Sequence, residues 1–157
     1  MSKVVKLLRL HQVPILQQLR LEEALLRVDK HNWLIVNDGT PETAVVMGIS
    51  GKVRELVNVE KANRDGIMVI KRYSGGGTVV VDKDTVFTSL VFNSSSVPDL
   101  PSSFPREIMA WTEGLYRPAF ARPLSSKSDS APFALREHDY VFGQHKFGGN
   151  AQSITKA

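Results

Sequence analysis

The sequence has no cysteine, no long apolar run and no dense cluster of basic residues. The lack of cysteine excludes structural disulfides and catalysis by a thiolate in this chain. No apolar run approaches the roughly 20 residues of a membrane-spanning helix, so we expect no membrane partner. The basic residues are spread along the chain, and a net charge of +4 is too modest to favour nucleic-acid binding.

The composition is that of an ordinary globular domain. The 157 residues are 42% hydrophobic and 23% charged, which is enough to build a core. We therefore expect a single domain over residues 1–157. The first ten residues lack the Ser and Arg richness of a transit peptide, and we interpret them as the lead-in to the fold. A cytoplasmic and a mitochondrial location both stay open.

Apolar residues at helical spacing follow Pro14, which suits the first turn of a helix. On this first helix we expect Glu22 and Glu23 to lie on a solvated face. A second helix is predicted over residues 52–63, ending at the glycine stop Gly66.

Pro105 is predicted to begin a third helix, which Pro118 should break. Two stretches rich in Ser and Pro, residues 93–103 and 124–133, are predicted as loops. Strands are predicted at residues 4–10, 33–36, 44–49, 67–72, 78–81, 86–92, 139–142 and 146–154. Because strands and helices intermix, the fold class is α/β (α+β), with a mixed, largely antiparallel sheet packed with helices.

The most informative stretch is Arg-Tyr-Ser-Gly-Gly-Gly-Thr at residues 72–78, between two short β-branched strands. Its glycines would let the backbone N–H groups lie directly against a ligand. Arg72 and Lys71 could neutralise an anion at the entrance. The stretch lacks the Gly-Lys-Ser/Thr ending of a nucleoside-triphosphate loop and the spacing of a dinucleotide fingerprint. On its own it is equally typical of a flexible hairpin connection.

A second stretch, Lys-Phe-Gly-Gly-Asn-Ala-Gln at residues 146–152, follows a hairpin turn expected at residues 143–145. By itself this stretch indicates an exposed surface lysine on a strand bent by glycine.

Together, the two stretches closely resemble the lipoate–protein ligase A family of the biotin/lipoyl ligase superfamily. The family's first hallmark, Arg-Arg-x-Ser-Gly-Gly-Gly-x-x-x-x-x-Asp, is matched through Asp82, and its later Lys-Phe-x-Gly-Asn-Ala begins at Lys146. Residues 18–26 resemble the family's first helix. His138 is a departure, since many members have a small amide residue there. Family members continue well beyond the lysine strand, so we expect this chain to be the N-terminal portion of the family's catalytic domain.

The resemblance implies a ligase that works in two steps. Lipoate and ATP, with Mg²⁺, would form lipoyl-adenylate (lipoyl-AMP) and pyrophosphate. The lipoyl group would then pass to a lysine of an acceptor lipoyl domain, such as that of a 2-oxoacid dehydrogenase subunit or the glycine-cleavage carrier protein.

The resemblance also implies roles for single residues. Lys146 would be catalytic, stabilising negative charge on the carboxylate and the α-phosphate. Arg72 would orient a phosphate, and Asp139 would serve the nucleotide or the metal. The implied substrate-binding residues are Arg72, Ser74, Gly75, Gly76, Gly77, Thr78, Lys146, Gly149, Asn150 and Ala151. The implied nucleotide-binding residues are Arg72, Asp82, Asp139, Lys146 and Asn150.

Two alternatives stay open. The chain could be a truncated, non-catalytic fragment that binds a lipoyl ligand or an acceptor, or it could transfer lipoyl or octanoyl groups without an ATP step. Octanoyl transferases that use a cysteine nucleophile are disfavoured, because the chain has no cysteine.

Overall fold

A computed structural model describes residues 4–97, 104–121 and 131–155. The chain divides into two compact units, Met1–Val97 and Pro98–Ala157. The elements of the first unit, in chain order, are β1 (Val5–Leu10), α1 (Ile15–Val28), β2 (Asn32–Asn37), β3 (Ala44–Met47), α2 (Val53–Leu56), α3 (Val59–Arg64), β4 (Met68–Lys71), β5 (Val79–Val81) and β6 (Phe87–Val91).

The strands of the first unit form two mixed sheets, with strand orders β1-β2-β6 and β4-β3-β5. In each sheet the central strand has one parallel and one antiparallel neighbour. Mixed sheets packed with helices confirm the predicted fold class. The apolar face of α1 packs on the second sheet, in a core made of Ile15, Ala44, Val46, Ile70 and Val81. Each of the isoleucine and valine side chains in this core contributes about 1.5–3 kcal/mol by leaving water.

The interpretation of Glu22 as a solvated residue is wrong. Glu22 is buried, and its carboxylate accepts hydrogen bonds from Gln18 Nε2 at 2.8 Å and from the hydroxyl of Ser89. Burial of a carboxylate requires such partners, and here one of them comes from β6, far away in the sequence. Glu23, in contrast, is partly exposed and pairs with Arg27 one turn along the helix.

The single helix predicted over residues 52–63 is two short helices. Val57 and Asn58 between them are extended, and the Asn58 side chain accepts a hydrogen bond from Lys61 N to begin α3. The asparagine therefore acts as an N-cap inside the predicted helix. The predicted stop at Gly66 is confirmed, since Gly66 has a φ of +65° just past α3.

The second unit contains α4 (Pro105–Phe120), β7 (Phe133–Arg136), β8 (Asp139–Phe142) and β9 (His145–Gly149). Its strands form an antiparallel sheet in the order β7-β8-β9. Met109 of α4 packs with Phe133 and Tyr140 in the core of this unit. In the described ranges, no helix is long and apolar enough to cross a bilayer.

Three sequence predictions for the second unit need correction. Pro118 does not break the helix, because it lies within the last turn and only one backbone hydrogen bond is lost. Strand β7 was not predicted and includes Phe133, the last residue of a predicted loop. Strand β9 ends at Gly149 instead of residue 154. Most of that predicted loop, and residues 98–103 of the other, lie outside the described residues.

Candidate functional site

The glycine loop, residues 72–78, is held together by its own arginine. The Arg72 side chain is only 7% exposed. Its Nε donates to Ser74 Oγ at 3.1 Å, and its Nη2 donates to the carbonyl oxygens of Gly75 at 2.8 Å and Gly77 at 2.9 Å. A planar guanidinium presents several donors in a fixed fork, which suits three acceptors on one curved segment. Arg72 therefore fixes the shape of the loop, and its role towards phosphate stays a prediction.

The end of β3 supports the same loop from the other side. Arg72 N donates to Met47 O at 2.9 Å, and Ile49 N donates to Ser74 O at 3.0 Å. Between these two bonds lies Gly48, where a Cβ atom would come within 2.0 Å of the carbonyl oxygen of Gly76. Only a glycine allows so close an approach of two backbone segments.

Gly76 is the glycine in the loop with a special conformation. Its φ is +102°, a region that residues with a Cβ rarely adopt. The predicted ligand residues around it differ in accessibility. Ser74 is buried by its bond to Arg72, whereas Gly76, Gly77 and Thr78 are exposed. The exposed side of the loop is therefore the part that a ligand can reach.

Tyr73 connects the loop to the polar residues of α1. Burial, together with the negative charges of Glu22 and Glu23, raises the pKa of the Tyr73 hydroxyl to about 12. The hydroxyl stays protonated at neutral pH as a consequence, and it can donate a hydrogen bond.

Asp82 lies at the end of the first motif and stabilises a turn. Its Oδ1 accepts hydrogen bonds from Asp84 N at 3.0 Å and Thr85 Oγ1 at 2.9 Å. Such side-chain bonds to the following residues are typical of aspartate in turns. The contacts of Asp82 are thus structural, and its assignment to the nucleotide stays a prediction.

In the second unit, a β-bulge brings three predicted site residues to one face of the β8–β9 hairpin. Asp139 pairs with Gly149 and Tyr140 with Gly148, but Val141 pairs with Lys146, so Phe147 is the extra residue. Without this extra residue, the odd spacing between Lys146 and Gly149 would place them on opposite faces.

On that face, Lys146 Nζ lies 2.8 Å from Asp139 Oδ1. The two side chains are 52% and 35% exposed. The lysine is therefore a fixed but accessible positive charge with a carboxylate beside it. Lys146 is exposed on a strand, as the sequence indicated, but the irregularity of that strand is the bulge at Phe147 and not a glycine, and the pairing with Asp139 was not predicted from the sequence.

The opposite face of the hairpin is aromatic. Phe147 stacks on Phe142 with ring centroids 4.5 Å apart and also contacts Phe120 and Phe133. This packing fixes the position of the bulged residue Phe147. It therefore also fixes the direction in which the neighbouring Lys146 projects.

Asn150 follows the strand and contacts the core. Its Nδ2 donates to the Tyr140 hydroxyl at 3.4 Å, and that hydroxyl lies 2.6 Å from Thr112 Oγ1. Within the described part of the chain, the buried Asn150 Oδ1 has no hydrogen-bond partner. These contacts fix the end of the lysine strand on the core of the unit, and the binding roles of Asn150 stay predictions. Ala151 beside it is exposed.

A metal site made by protein side chains alone is absent from the described residues, where no three His, Cys, Asp or Glu side chains form a cluster. Asp139 offers a single accessible carboxylate. A single carboxylate can help to bind Mg²⁺ only when phosphates of the substrate supply further ligands.

The predicted residues thus form two groups. Arg72, Ser74, Gly75 and Gly77 are joined in the first unit, and Asp139, Lys146 and Gly149 meet in the second. Sequence reasoning missed Gly48 and the partners of Glu22. The signal for Gly48 was a glycine directly after a buried strand.

A family model matches residues 14–157, which include both groups. The family is described as the lipoyl protein ligase A/B catalytic domain. The chain belongs to this family. The resemblance to lipoate–protein ligases is confirmed by this match.

A relative of this chain among curated proteins is distant in sequence. An inactive lipoate–protein ligase 2 from Plasmodium falciparum is 24% identical over 191 aligned positions, which cover 90% of this chain and 49% of that protein. The chain therefore spans about half the length of the curated relative that it matches.

Solved structures of ligases share the fold. A proposed lipoate protein ligase from T. acidophilum with bound lipoic acid matches with a TM-score of 0.70 and 22% identity, over 96% of this chain and 63% of that one. A lipoate–protein ligase A bound with ATP matches with a TM-score of 0.73 and 22% identity, over 99% of this chain and 63% of that one. The chain therefore shares the fold of these ligases and spans about 63% of the length of each.

Proposed function

We propose that this chain activates lipoate with ATP and supports its transfer to a lysine of an acceptor lipoyl domain. In the first step a lipoate carboxylate oxygen bonds to the α-phosphorus of ATP, and pyrophosphate leaves. In the second, the amine of the acceptor lysine bonds to the acyl carbon, the bond to AMP breaks, and the amine loses a proton.

The observation that carries this proposal is the accessible ammonium of Lys146, fixed by the hairpin bulge within the family motif. Negative charge develops on the carboxylate, on the α-phosphate oxygens and on the departing AMP. A lysine held in place before the reaction stabilises that charge without having to reorganise. The bulge and the aromatic packing of Phe147 supply this fixed position.

The glycine loop would bind ligand through its exposed backbone. Arg72 uses its donors to hold the carbonyl oxygens of Gly75 and Gly77 inward. The loop is therefore a rigid surface on which a flat or extended acyl chain can lie closely, because no side chain intervenes. Mg²⁺, when bound with ATP, would neutralise phosphate charge.

A second candidate is a catalytic domain that binds the lipoyl ligand without turning it over. It is favoured by the relative that is named inactive. In that case the rigid loop would retain ligand affinity, while no pyrophosphate would be released.

Lipoate-dependent release of pyrophosphate from ATP tests the first proposal. We expect release by the wild-type chain, and a loss of about a hundredfold or more in Lys146→Ala, because one fixed charge is removed from the transition state. Lys83→Ala is the matched control, since Lys83 is also an exposed lysine with a neighbouring carboxylate. Its rate should equal that of the wild type.

Stability measurements separate a chemical from a structural role. The Lys146–Asp139 pair is largely exposed, so its loss should cost about 1 kcal/mol or less of unfolding free energy. A Lys146→Ala chain that unfolds would contradict the assigned role. Absence of pyrophosphate together with a thermal shift by lipoyl-AMP would support the second candidate, and absence of both would refute ligand binding altogether.

A further inference from the structure

The position beside Lys146 Nζ that an anionic ligand needs is occupied by a carboxylate of the chain itself. Asp139 Oδ1 lies 2.8 Å from the ammonium nitrogen. A ligand carboxylate or phosphate that approaches Lys146 must therefore share the ammonium group with Asp139 or replace it.

We propose that Asp139 is an exchangeable counter-ion, which competes with the anionic substrate for Lys146. This inference rests on the proposed function and assigns Asp139 a role different from metal or nucleotide binding. Asp139 would hold the lysine on the reactive face of the hairpin and then give way to the ligand.

The geometry suits exchange. Lys146 is exposed at 52% and Asp139 is partly exposed at 35%, and an ion pair open to water to this extent is weak enough for another anion to compete. Gly149 leaves the approach open, since a Cβ atom there would lie 3.8 Å from Lys146 Nζ and 3.9 Å from Asp139 Oδ1. A longer side chain at this position would cover the pair.

The bulge makes the pairing specific to this hairpin. Asp139 and Val141 lie on the same side of β8, and Val141 is the residue paired with Lys146. The lysine therefore projects along the strand towards Asp139, and its four-carbon stem is long enough to reach the carboxylate.

The competing interpretations predict different effects of one substitution on ligand binding. If Asp139 competes for Lys146, Asp139→Asn frees the ammonium and tightens the binding of an anion. If Asp139 binds the metal or the nucleotide, the same change leaves binding of free lipoate unchanged and weakens binding of ATP with Mg²⁺.

Isothermal titration with lipoate, without ATP or Mg²⁺, measures the effect. We expect Asp139→Asn to bind lipoate about two- to fivefold more tightly than the wild type, the range given by exposed ion pairs. Glu137→Gln is the matched control, because Glu137 is an exposed acid in the adjoining turn and the change removes the same charge. Its affinity should stay within experimental error of the wild type.

Unchanged or weaker binding by Asp139→Asn would overturn the proposal, and equal tightening in Glu137→Gln would do so as well, by showing a general charge effect. Failure of the proposed function has a different signature, namely that the wild-type chain releases no pyrophosphate from ATP in the presence of lipoate, whether or not the three chains bind lipoate.

A second measurement needs no ligand. Reductive methylation of the folded chains, followed by protease digestion and mass spectrometry of the peptide that contains Lys146, should show faster modification of Lys146 in Asp139→Asn than in the wild type and in Glu137→Gln. Equal rates in the three chains would show that Asp139 does not hold the ammonium, and would also overturn the proposal.

Discussion

Replacing Gly48 by alanine should displace the glycine loop. The added Cβ would lie 2.0 Å from Gly76 O, whereas such contacts are essentially never shorter than 3.0 Å. One of the two backbone segments must therefore move by about 1 Å, the difference between these distances. Relief by a side-chain rotation is impossible, because the obstructing atom belongs to the backbone.

The energetic cost follows from the bonds on either side of Gly48. A shift of that size would lengthen the hydrogen bonds Ile49 N to Ser74 O and Arg72 N to Met47 O, now 3.0 and 2.9 Å. Each is worth about 1 kcal/mol, and overpacking adds about 1–3 kcal/mol. If both bonds are lost, we expect Gly48→Ala to lower the unfolding free energy by about 3–5 kcal/mol.

Urea unfolding measures this loss, and titration with lipoyl-AMP measures the effect on the loop. Gly114→Ala is the control, because a Cβ at this exposed position of α4 meets nothing within 4 Å. Alanine should stabilise that helix by up to about 1 kcal/mol. The reasoning would be refuted if Gly48→Ala unfolded at the wild-type urea concentration and bound the ligand with unchanged affinity.

Two further predictions concern the loop and its neighbour. Arg72→Lys should lower the unfolding free energy by about 1–3 kcal/mol in a urea titration, because one ammonium cannot replace the fork, whereas Lys71→Ala should change it by less than about 0.5 kcal/mol. Because the folded pKa of Tyr73 is about 12 against an ordinary value of 10.0, the unfolded chain loses this proton first. Stability should therefore fall as pH rises from about 10 to about 12. Glu22→Gln should lower the Tyr73 pKa in a phenolate absorbance titration, and a pKa that did not move would contradict the assigned charge effect.

The sequence predicted the local elements best where one signal dominated. Pro14 and the apolar spacing located α1, and β-branched runs located the strands around the glycine loop. The split between α2 and α3 was not predicted, because the capping bond of Asn58 outweighed a continuous amphipathic pattern. The helix-breaking effect of Pro118 was overestimated, because a proline disrupts a helix less when it lies in the last turn.

The long-range contacts of the candidate site were beyond sequence reasoning. The motifs identified Arg72 and Lys146, but a motif does not show what a side chain contacts. Arg72 faces its own loop, and Glu22 is buried against Ser89 of another strand. The pairing of Lys146 with Asp139 depends on one extra residue in β9. Such a bulge shifts the register of the strand, and the amino-acid composition gives no signal for it.

The inward-facing Arg72 has a consequence for binding thermodynamics. A glycine-rich segment is normally the most flexible part of a chain, and ordering it on ligand binding would cost about 1–2 kcal/mol of backbone entropy per residue. In this chain the guanidinium and the end of β3 order the loop during folding. The ligand then meets a preorganised surface, so affinity is not reduced by loop ordering. Release of that constraint, as in Arg72→Lys, should appear in calorimetry chiefly as a more unfavourable binding entropy.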